Sequence, residues 1–487
     1  MIKFSLSLGL DMREIPTEKI KRKIELMNPH WQKGEIDNDL KAMRKRKYFD
    51  LFYPLVAKSK VHRAVVLMGP RRVGKTVLLW QTVQGLIDGK TKPKKILFLS
   101  LDDPIFHAYS LDDLLELYKE ISTTNSLDGG VIIFDEVQYL KDWDIQLKVL
   151  VDTHKKTRFV ASGSAASALK RKSQESGAGR FTDFLLPALT FYEYLDLLNL
   201  IILLKLKGEN KKSVDIDGLN REFINYINYG GFPEAIFSKE IRKNPERFIR
   251  SDIIDKVLLR DLPSLYGIQD TQELNRLFMA LVYQTGNEVS LDGLSKASGV
   301  AKNTIKKYLE YLEAAFLIRR IRRIDDSGKR FKRDNFFKVY LCNPSMYSAV
   351  YGPVPEDDST TLGSLVETAI FSQWMHSPTI DRLYYARWKK GEHEVDMVFL
   401  DANSRIKNYY CAEIKWSDRN LDAKDLQGLI DFCQKNKITS SIVTTKTGYF
   451  DKEAEKLHIC FRPSALFCLT VGKVTISKKL SNILNLI

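Results

Sequence analysis

The chain is poor in cysteine, and what it has is scattered: Cys342, Cys411, Cys433, Cys460 and Cys468, with no CxxC pair. That excludes a zinc ribbon and a disulfide framework, and fits a reducing compartment, so a cytoplasmic location is expected. It also lacks long apolar runs. The longest, "LDLLNLIILLKL" at 195–206, contains Asp196, Asn199 and Lys205. A span needs about 20 apolar residues, so no membrane span is expected; a membrane-surface ATPase using the basic N-terminal segment is a weaker alternative, since no amphipathic helix with a clean apolar face supports it. The opening "MIKFSLSLGLDMREI" has too short and broken an apolar stretch for a signal peptide. Internal repeats and low-complexity tracts are absent. Acids are the minority charge: 61 Asp and Glu stand against 76 Lys and Arg, a net charge of +15. Such a surplus favours a polyanionic partner, although a merely soluble basic protein would fit the same number.

What is present divides into segments. A length of 487 residues is too great for one core and argues for several domains. Residues 1–60 are polar and basic with helical stretches, and "NPHW" at 28–31 reads as a turn. Residues 61–185 carry strand-length apolar runs ("AVVLMG", "KILFLSL", "VIIFDE", "RFVASGS") separated by helical patterns. That alternation predicts an α/β fold with a parallel sheet covered on both faces by helices. Residues 186–275 read as helical, broken at "GGFP". Residues 276–350 read as a small helical unit with a hairpin. From 362 to 487 the pattern is α/β again, after the linker-like "YGPVPEDDST" at 351–360.

"GPRRVGKT" at 69–76 matches G-x-x-x-x-G-K-[ST], with an apolar strand before it and "VLLWQTVQGLI" after it. Such a loop turns its backbone amides inward around phosphate oxygens at a helix N-terminus. Gly69, Pro70, Arg71, Arg72, Val73, Gly74, Lys75, Thr76 and Val77 are therefore the expected ATP-binding residues. Lys75 would reach the β- and γ-phosphates, and Thr76 would ligate Mg²⁺. "VIIFDEVQ" ends a strand with Asp135, a second expected Mg²⁺ ligand, and Glu136, expected to orient or deprotonate the attacking water. Ser162 or Ser164, in "ASGSAAS", would sense the γ-phosphate, with a plain turn as the alternative. Arg180, in "SGAGRF", is an arginine-finger candidate within the chain or on a neighbour, with a solvated arginine as the alternative. A finger acting in trans would require a homo-oligomer.

Over residues 28–275 the order "NPHW", "GPRRVGKT", "FDEVQ", "SGS", "GR" before "LPALTFYEYL", then "GGFP", resembles prokaryotic AAA-type ATPases. The resemblance implies an ATPase core followed by a helical lid. The Asn or Thr usual at the family's sensor is a serine here.

"SLDGLSKASGVAKNTIKKYLEYLEAAFLIRRIRR" (290–323) reads as helix, turn, helix, followed by two strands around Asp326-Ser327-Gly328: a winged helix. Residues 301–340 hold twelve Lys and Arg against five Asp and Glu. Lysines at a recognition-helix N-terminus and a basic wing would read a phosphate backbone, with DNA favoured. The alternative is a winged helix that only packs on the nucleotide core.

In "YYCAEIKWSD" (409–418) alternation puts Ala412, Ile414 and Trp416 on one strand face and Glu413 and Lys415 on the other. Upstream, "GEHEVDMVFL" (391–400) places Asp396 in a strand that looks buried on both faces, where a lone carboxylate is costly. Glu367 lies in an amphipathic helix, "TLGSLVETAIFSQW". This order of helix acid, strand Asp, strand Glu-x-Lys, helix and strand resembles the restriction-endonuclease-like PD-(D/E)xK superfamily over about 362–465. The resemblance implies Mg²⁺ shared by Asp396 and Glu413, with Glu367 as a further ligand. Lys415 would be catalytic, stabilising developing charge or helping deprotonate water, and Gln427 would support the site. The bland alternative is a Glu–Lys pair on a wet strand face.

The resulting expectation is a DNA-associated ATPase whose nucleotide state gates a metal-dependent nuclease-like domain. The alternative is a non-cleaving ATP-dependent switch whose C-terminal domain binds nucleic acid or a protein partner.

Overall fold

The computed structural model describes residues 16–124, 126–164, 179–201, 214–331, 335–377, 379–401, 408–419 and 421–484; the side chains of 164, 390, 401, 408, 409 and 478–484 lie outside that description. Five parallel strands form the first sheet: β1 (Ala64–Gly69), β2 (Ile96–Ser100), β3 (Val131–Asp135), β4 (Arg158–Ser164) and β5 (Phe181–Leu185), in the order β2-β3-β4-β1-β5. Every residue of β1 and β3 is buried. Their apolar runs do not alternate because helices cover both faces. The expected α/β class holds.

The described part of the first segment, residues 16–60, packs into the cores of the first sheet rather than standing apart. Tyr48, Leu51 and Phe52, near or in the helix Phe49–Ala57, belong to the same core as Val65, Leu67 and Leu79. "NPHW" is indeed a turn, but it also shields the edge strand β2. Asn28 donates to the Phe98 carbonyl (2.9 Å) and accepts from the Phe98 amide (2.8 Å). Trp31 donates to the Ile96 carbonyl. Unpaired groups on a sheet edge invite foreign strands, and these side chains occupy them.

After β5 the chain is helical. Thr190 caps the helix Phe191–Leu197 in a reciprocal box with Glu193. Further helices lead into residues 246–261, a helical stretch with wide turns, and to helices at Thr271–Tyr283, Leu291–Ser298 and Lys302–Ala314.

A second, mixed sheet has nine strands. Its members are β6 (Glu288–Ser290), β7 (Ile318–Ile324), β8 (Phe336–Leu341), β9 (Leu383–Trp388), β10 (His393–Asp401), β11 (Asn408–Glu413), β12 (Ser440–Thr445), β13 (Phe450–Ala454) and β14 (Leu457–Pro463). The order is β13-β14-β12-β11-β10-β9-β7-β8-β6. The expected division between 350 and 362 thus runs through one continuous sheet, joined where β7 pairs with β9 in parallel. That junction brings side chains from β8 onto the acidic residues of β10. The last helix, Ser464–Leu484, packs back on the helix Phe191–Leu197. No described helix is long and apolar enough to cross a membrane.

Candidate functional site

The loop between β1 and the helix Lys75–Asp88 is built as its spacing requires. A Cβ on Gly69 would lie 2.2 Å from the Leu186 carbonyl oxygen, so no side chain fits there. Gly74 has φ of 92°, a backbone favouring glycine. Arg72 shares the left-handed region, with φ of 61°. Val73 is buried and anchors the loop. Pro70 leads from Gly69 into the turn at Arg71 and Arg72, and Val77 lies in the first turn of the helix.

Lys75 is buried and donates to the carbonyls of Gly69 (3.0 Å) and Pro70 (2.9 Å). Burial lowers its pKa, opposed by the charges of Glu136 and Asp135. Thr76 Oγ1 donates to Asp135 Oδ2 at 2.8 Å, and Ser162 donates to Asp135 Oδ1. Strand order explains the meeting: β4 lies between β1 and β3, so the ends of all three converge. Burial, and then the neighbouring Glu136 charge, raise the Asp135 pKa. This oxygen set, one carboxylate with two hydroxyls, suits a hard cation such as Mg²⁺. Glu136 follows with φ of 56° and accepts from Gln138.

Of the two serines considered, Ser162 reaches Asp135; the side chain of Ser164 lies outside the described residues, although its backbone pairs with Gly69. Arg180 requires a correction. It precedes β5, whose Phe181 pairs with Ala64, and its carbonyl accepts from Ala64 N. The phosphate loop begins five residues further along β1, about 17 Å away at the rise of a strand. Arg180 therefore sits at the opposite end of the sheet from the loop and pairs with Asp152 at 3.2 Å. A finger reaching its own chain's nucleotide is ruled out by that geometry.

Three contacts were not legible in the sequence. Arg71 makes a two-pronged ion pair with Asp261 at 2.6 and 2.7 Å. Arg72 pairs with Glu234 and Asp252, each at 2.9 Å. Arg46 is buried behind the loop. It donates to the carbonyls of Val73 (3.0 Å) and Pro187 (2.9 Å) and pairs with Glu193 at 3.0 and 2.8 Å.

In the basic unit, Lys306 and Lys307 are exposed on the helix Lys302–Ala314. Much of the β7 charge is engaged within the protein. Arg320 pairs with Glu313, Arg319 with Asp381, and Arg323 donates to the Arg387 carbonyl and reaches Glu288.

The C-terminal acids come together in part. Met397 pairs with Ala412 across β10 and β11, which sets Asp396 beside Glu413. Asp396 Oδ2 accepts from the Ile414 amide at 2.9 Å. Lys415 Nζ lies 3.5 Å from Glu413 Oε1, while Glu413 Oε2 is buried without a hydrogen-bond partner. Burial, and then the Asp396 charge, push the Glu413 pKa up. Gln427 turns instead to Asp431. The unforeseen member is Lys338 of β8, 4% exposed, whose ammonium lies 2.8 Å from Glu367, 2.7 Å from Glu394 and 3.1 Å from Asp396. Tyr340 also donates to Glu367, at 2.5 Å. The Glu367, Asp396 and Glu413 oxygens do not gather as a ligand triad; among the described residues that spacing occurs at Asp451, His458 and Cys460. Divalent metal does not fit an acidic cluster that already surrounds a buried ammonium.

Residues 61–195 match the model of a family described as an AAA domain. Residues 220–357 and 362–461 match two families described as domains of unknown function, DUF8612 and DUF4143. An uncharacterized protein of Haemophilus influenzae is 28% identical over 276 residues, 55% of this chain and 65% of that protein. The chain thus spans just under two thirds of that relative. An uncharacterized protein of Methanocaldococcus jannaschii is 23% identical over 354 residues, 70% of this chain and 72% of its own. Among solved structures, the Aeropyrum pernix ORC2 protein in ADPNP-ADP complexes has a TM-score of 0.36 at 15% identity, covering 69% of this chain and 94% of that one. The replication initiator DnaA bound to AMPPCP and single-stranded DNA has a TM-score of 0.28 at 17% identity, covering 55% and 86%. The phosphate loop, the carboxylate it meets and the match of residues 61–195 to an AAA-domain model agree on a P-loop nucleotide-binding fold for that segment.

Proposed function

We propose that this chain is an ATP-hydrolysing switch that associates with DNA and whose C-terminal unit binds without cutting. The observation that carries the ATPase half is the contact between Thr76 and Asp135 at the mouth of the phosphate loop. Lys75, now spent on two backbone carbonyls, turns to the β- and γ-phosphates when nucleotide enters. Thr76 and Asp135 are the oxygen pair that would hold Mg²⁺, which when bound supplies charge neutralisation on the phosphates. Glu136, held by Gln138 at rest, orients the attacking water. Arg71 and Arg72 link the loop to Glu234, Asp252 and Asp261 of the helical segment, so phosphate competing for the two arginines would shift that segment.

DNA association rests on the helix, turn, helix and strand arrangement of residues 271–341 with exposed Lys306 and Lys307. The engaged β7 arginines leave backbone contact to the helix and hairpin rather than to the strand. The C-terminal unit is read as non-cleaving because Lys338 occupies its acidic cluster. A nuclease is the second reading, favoured by Asp396 beside Glu413 with Lys415 next to the pair.

The test is an ATPase assay of the parent, Glu136→Gln and Lys75→Ala, together with a nuclease assay on DNA and RNA in Mg²⁺ with and without ATP. ATP turnover lost in both variants, with DNA retained uncut, supports the proposal. Cleavage abolished by Glu413→Gln would move the C-terminal unit to the second reading.

A further inference from the structure

The acidic cluster on β10 and β11 takes residues from three parts of the chain. Glu367 comes from the helix Ser359–Gln373, Glu394 and Asp396 from β10, and Glu413 from the end of β11. Four carboxylates in a half-buried space repel one another unless cations stand among them. In an oxygen-rich cluster of this kind a divalent ion is one solution. This chain supplies another. Lys338 enters from β8, a strand of the neighbouring unit, and places its ammonium against Glu367, Glu394 and Asp396. A lysine ammonium has three N–H donors; Glu367 and Asp396 accept hydrogen bonds from it, and Glu394 lies 2.7 Å away as an ion pair. Arg387 lies 3.4 Å from Glu394, and Lys415 lies 3.5 Å from Glu413. Three cations thus reach the four acids, with Arg387 shared with Glu288 at 3.1 Å.

Burial works against the Lys338 charge, but three carboxylate oxygens within 3.1 Å of the ammonium hold it charged.

We infer that Lys338 is a built-in counter-cation, lent by the unit of residues 220–357, that replaces a divalent ion in the Glu367, Glu394, Asp396 and Glu413 cluster. The cluster accepts a divalent cation only once that ammonium is removed. The inference rests on the non-cleaving reading of the C-terminal unit, and it makes the neighbouring unit responsible for that state. The side chain cannot be exchanged for another without consequence, because its removal leaves three acids facing each other in a buried place.

The experiment counts Mn²⁺ bound to the full chain without nucleotide, by electron paramagnetic resonance of the free ion. Lys338→Met is expected to bind one more Mn²⁺ per chain than the parent, and Lys338→Met with Asp396→Asn to return to the parental count. Asp396→Asn alone is expected to leave the parental count unchanged. Lys338→Met that folds only when Mn²⁺ is supplied, as judged by circular dichroism, also supports the inference. An equal count in parent and a folded Lys338→Met overturns it, as does a parental Mn²⁺ lost on Asp396→Asn, a readout that does not need the Lys338 variant to fold. Absent ATP turnover would instead overturn the proposed function, since it does not enter this count, whereas parental DNA cleavage abolished by Glu413→Gln would overturn both.

Discussion

Arg71 of the phosphate loop and Asp261 of the helical segment, 190 residues apart in the chain, form a two-pronged ion pair with N–O distances of 2.6 and 2.7 Å. The pair is partly buried, with Arg71 at 22% and Asp261 at 11% exposure. It ties a residue of the Gly69–Thr76 loop to an element outside the sheet. Arg71 is held charged by Asp261, whose hydrogen bonds raise its pKa despite burial. Asp261→Asn keeps the shape and removes the charge. ATP affinity is expected to rise about tenfold, near 1.4 kcal/mol, because phosphate no longer competes with a carboxylate. Amide exchange over residues 246–261 should quicken. Isothermal titration with a non-hydrolysable ATP analogue checks this; unchanged affinity would mean that the tie does not oppose binding.

Lys75→Ala should lower ATP turnover by at least about 100-fold, since the charge meeting the transferred phosphate is gone. Folding should survive, because the lysine's partners are two backbone carbonyls at the loop mouth. Steady-state phosphate release measures it. Turnover within a few-fold of the parent would remove the loop from the reaction.

Arg46→Ala tests the support behind the loop. The arginine is 7% exposed and Glu193 is fully buried, so truncation strands a carboxylate. The expected loss is about 3–5 kcal/mol of stability. Chemical denaturation followed at the first transition reads it. Arg46→Ala together with Glu193→Gln should recover part of the loss.

His30 gives a pH dependence. Its Nε2 meets the Ile96 carbonyl at 3.0 Å and its Nδ1 is buried without a partner, so the ring sits neutral. Burial lowers its pKa to about 4. The unfolded ring titrates near the ordinary value of about 6.5 and so binds its proton first. Stability is full above that value and falls as pH drops toward about 4, by roughly 1.4 kcal/mol per unit at most. Denaturation curves at several pH values check the slope, which should shrink in His30→Gln.

Lys306→Glu and Lys307→Glu should weaken DNA binding across sequences. Each lost phosphate contact should reduce the slope of log affinity against log salt by about 1. Fluorescence anisotropy at several salt concentrations reads both quantities. Binding that ignores salt would place the helix Lys302–Ala314 away from DNA.

The phosphate loop was legible because its chemistry is contiguous. Glycines, lysine and threonine at fixed offsets, after an apolar strand, specify a turn over eight residues, and "GPRRVGKT" folds into it. Asp135 was legible for a similar reason, as the polar end of a buried strand. The pairing of Asp396 with Glu413 was half legible: alternation put each acid on a face, and the β10–β11 register then set them side by side.

Tertiary structure decided the rest. Arg180 immediately precedes β5, and the parallel register of β5 with β1 puts it at the end away from the loop. Lys338 reads in sequence as one more lysine of a basic hairpin. It becomes the centre of an acidic cluster only because β7 pairs with β9 and joins two sheets into one. Arg46 likewise looks like surface charge until the first helices close over the loop. Local sequence determines turns and the alternation of faces, since those depend on neighbours within a few bonds. Which distant charge fills a buried space depends on how whole elements pack, and no short stretch of this chain encodes that.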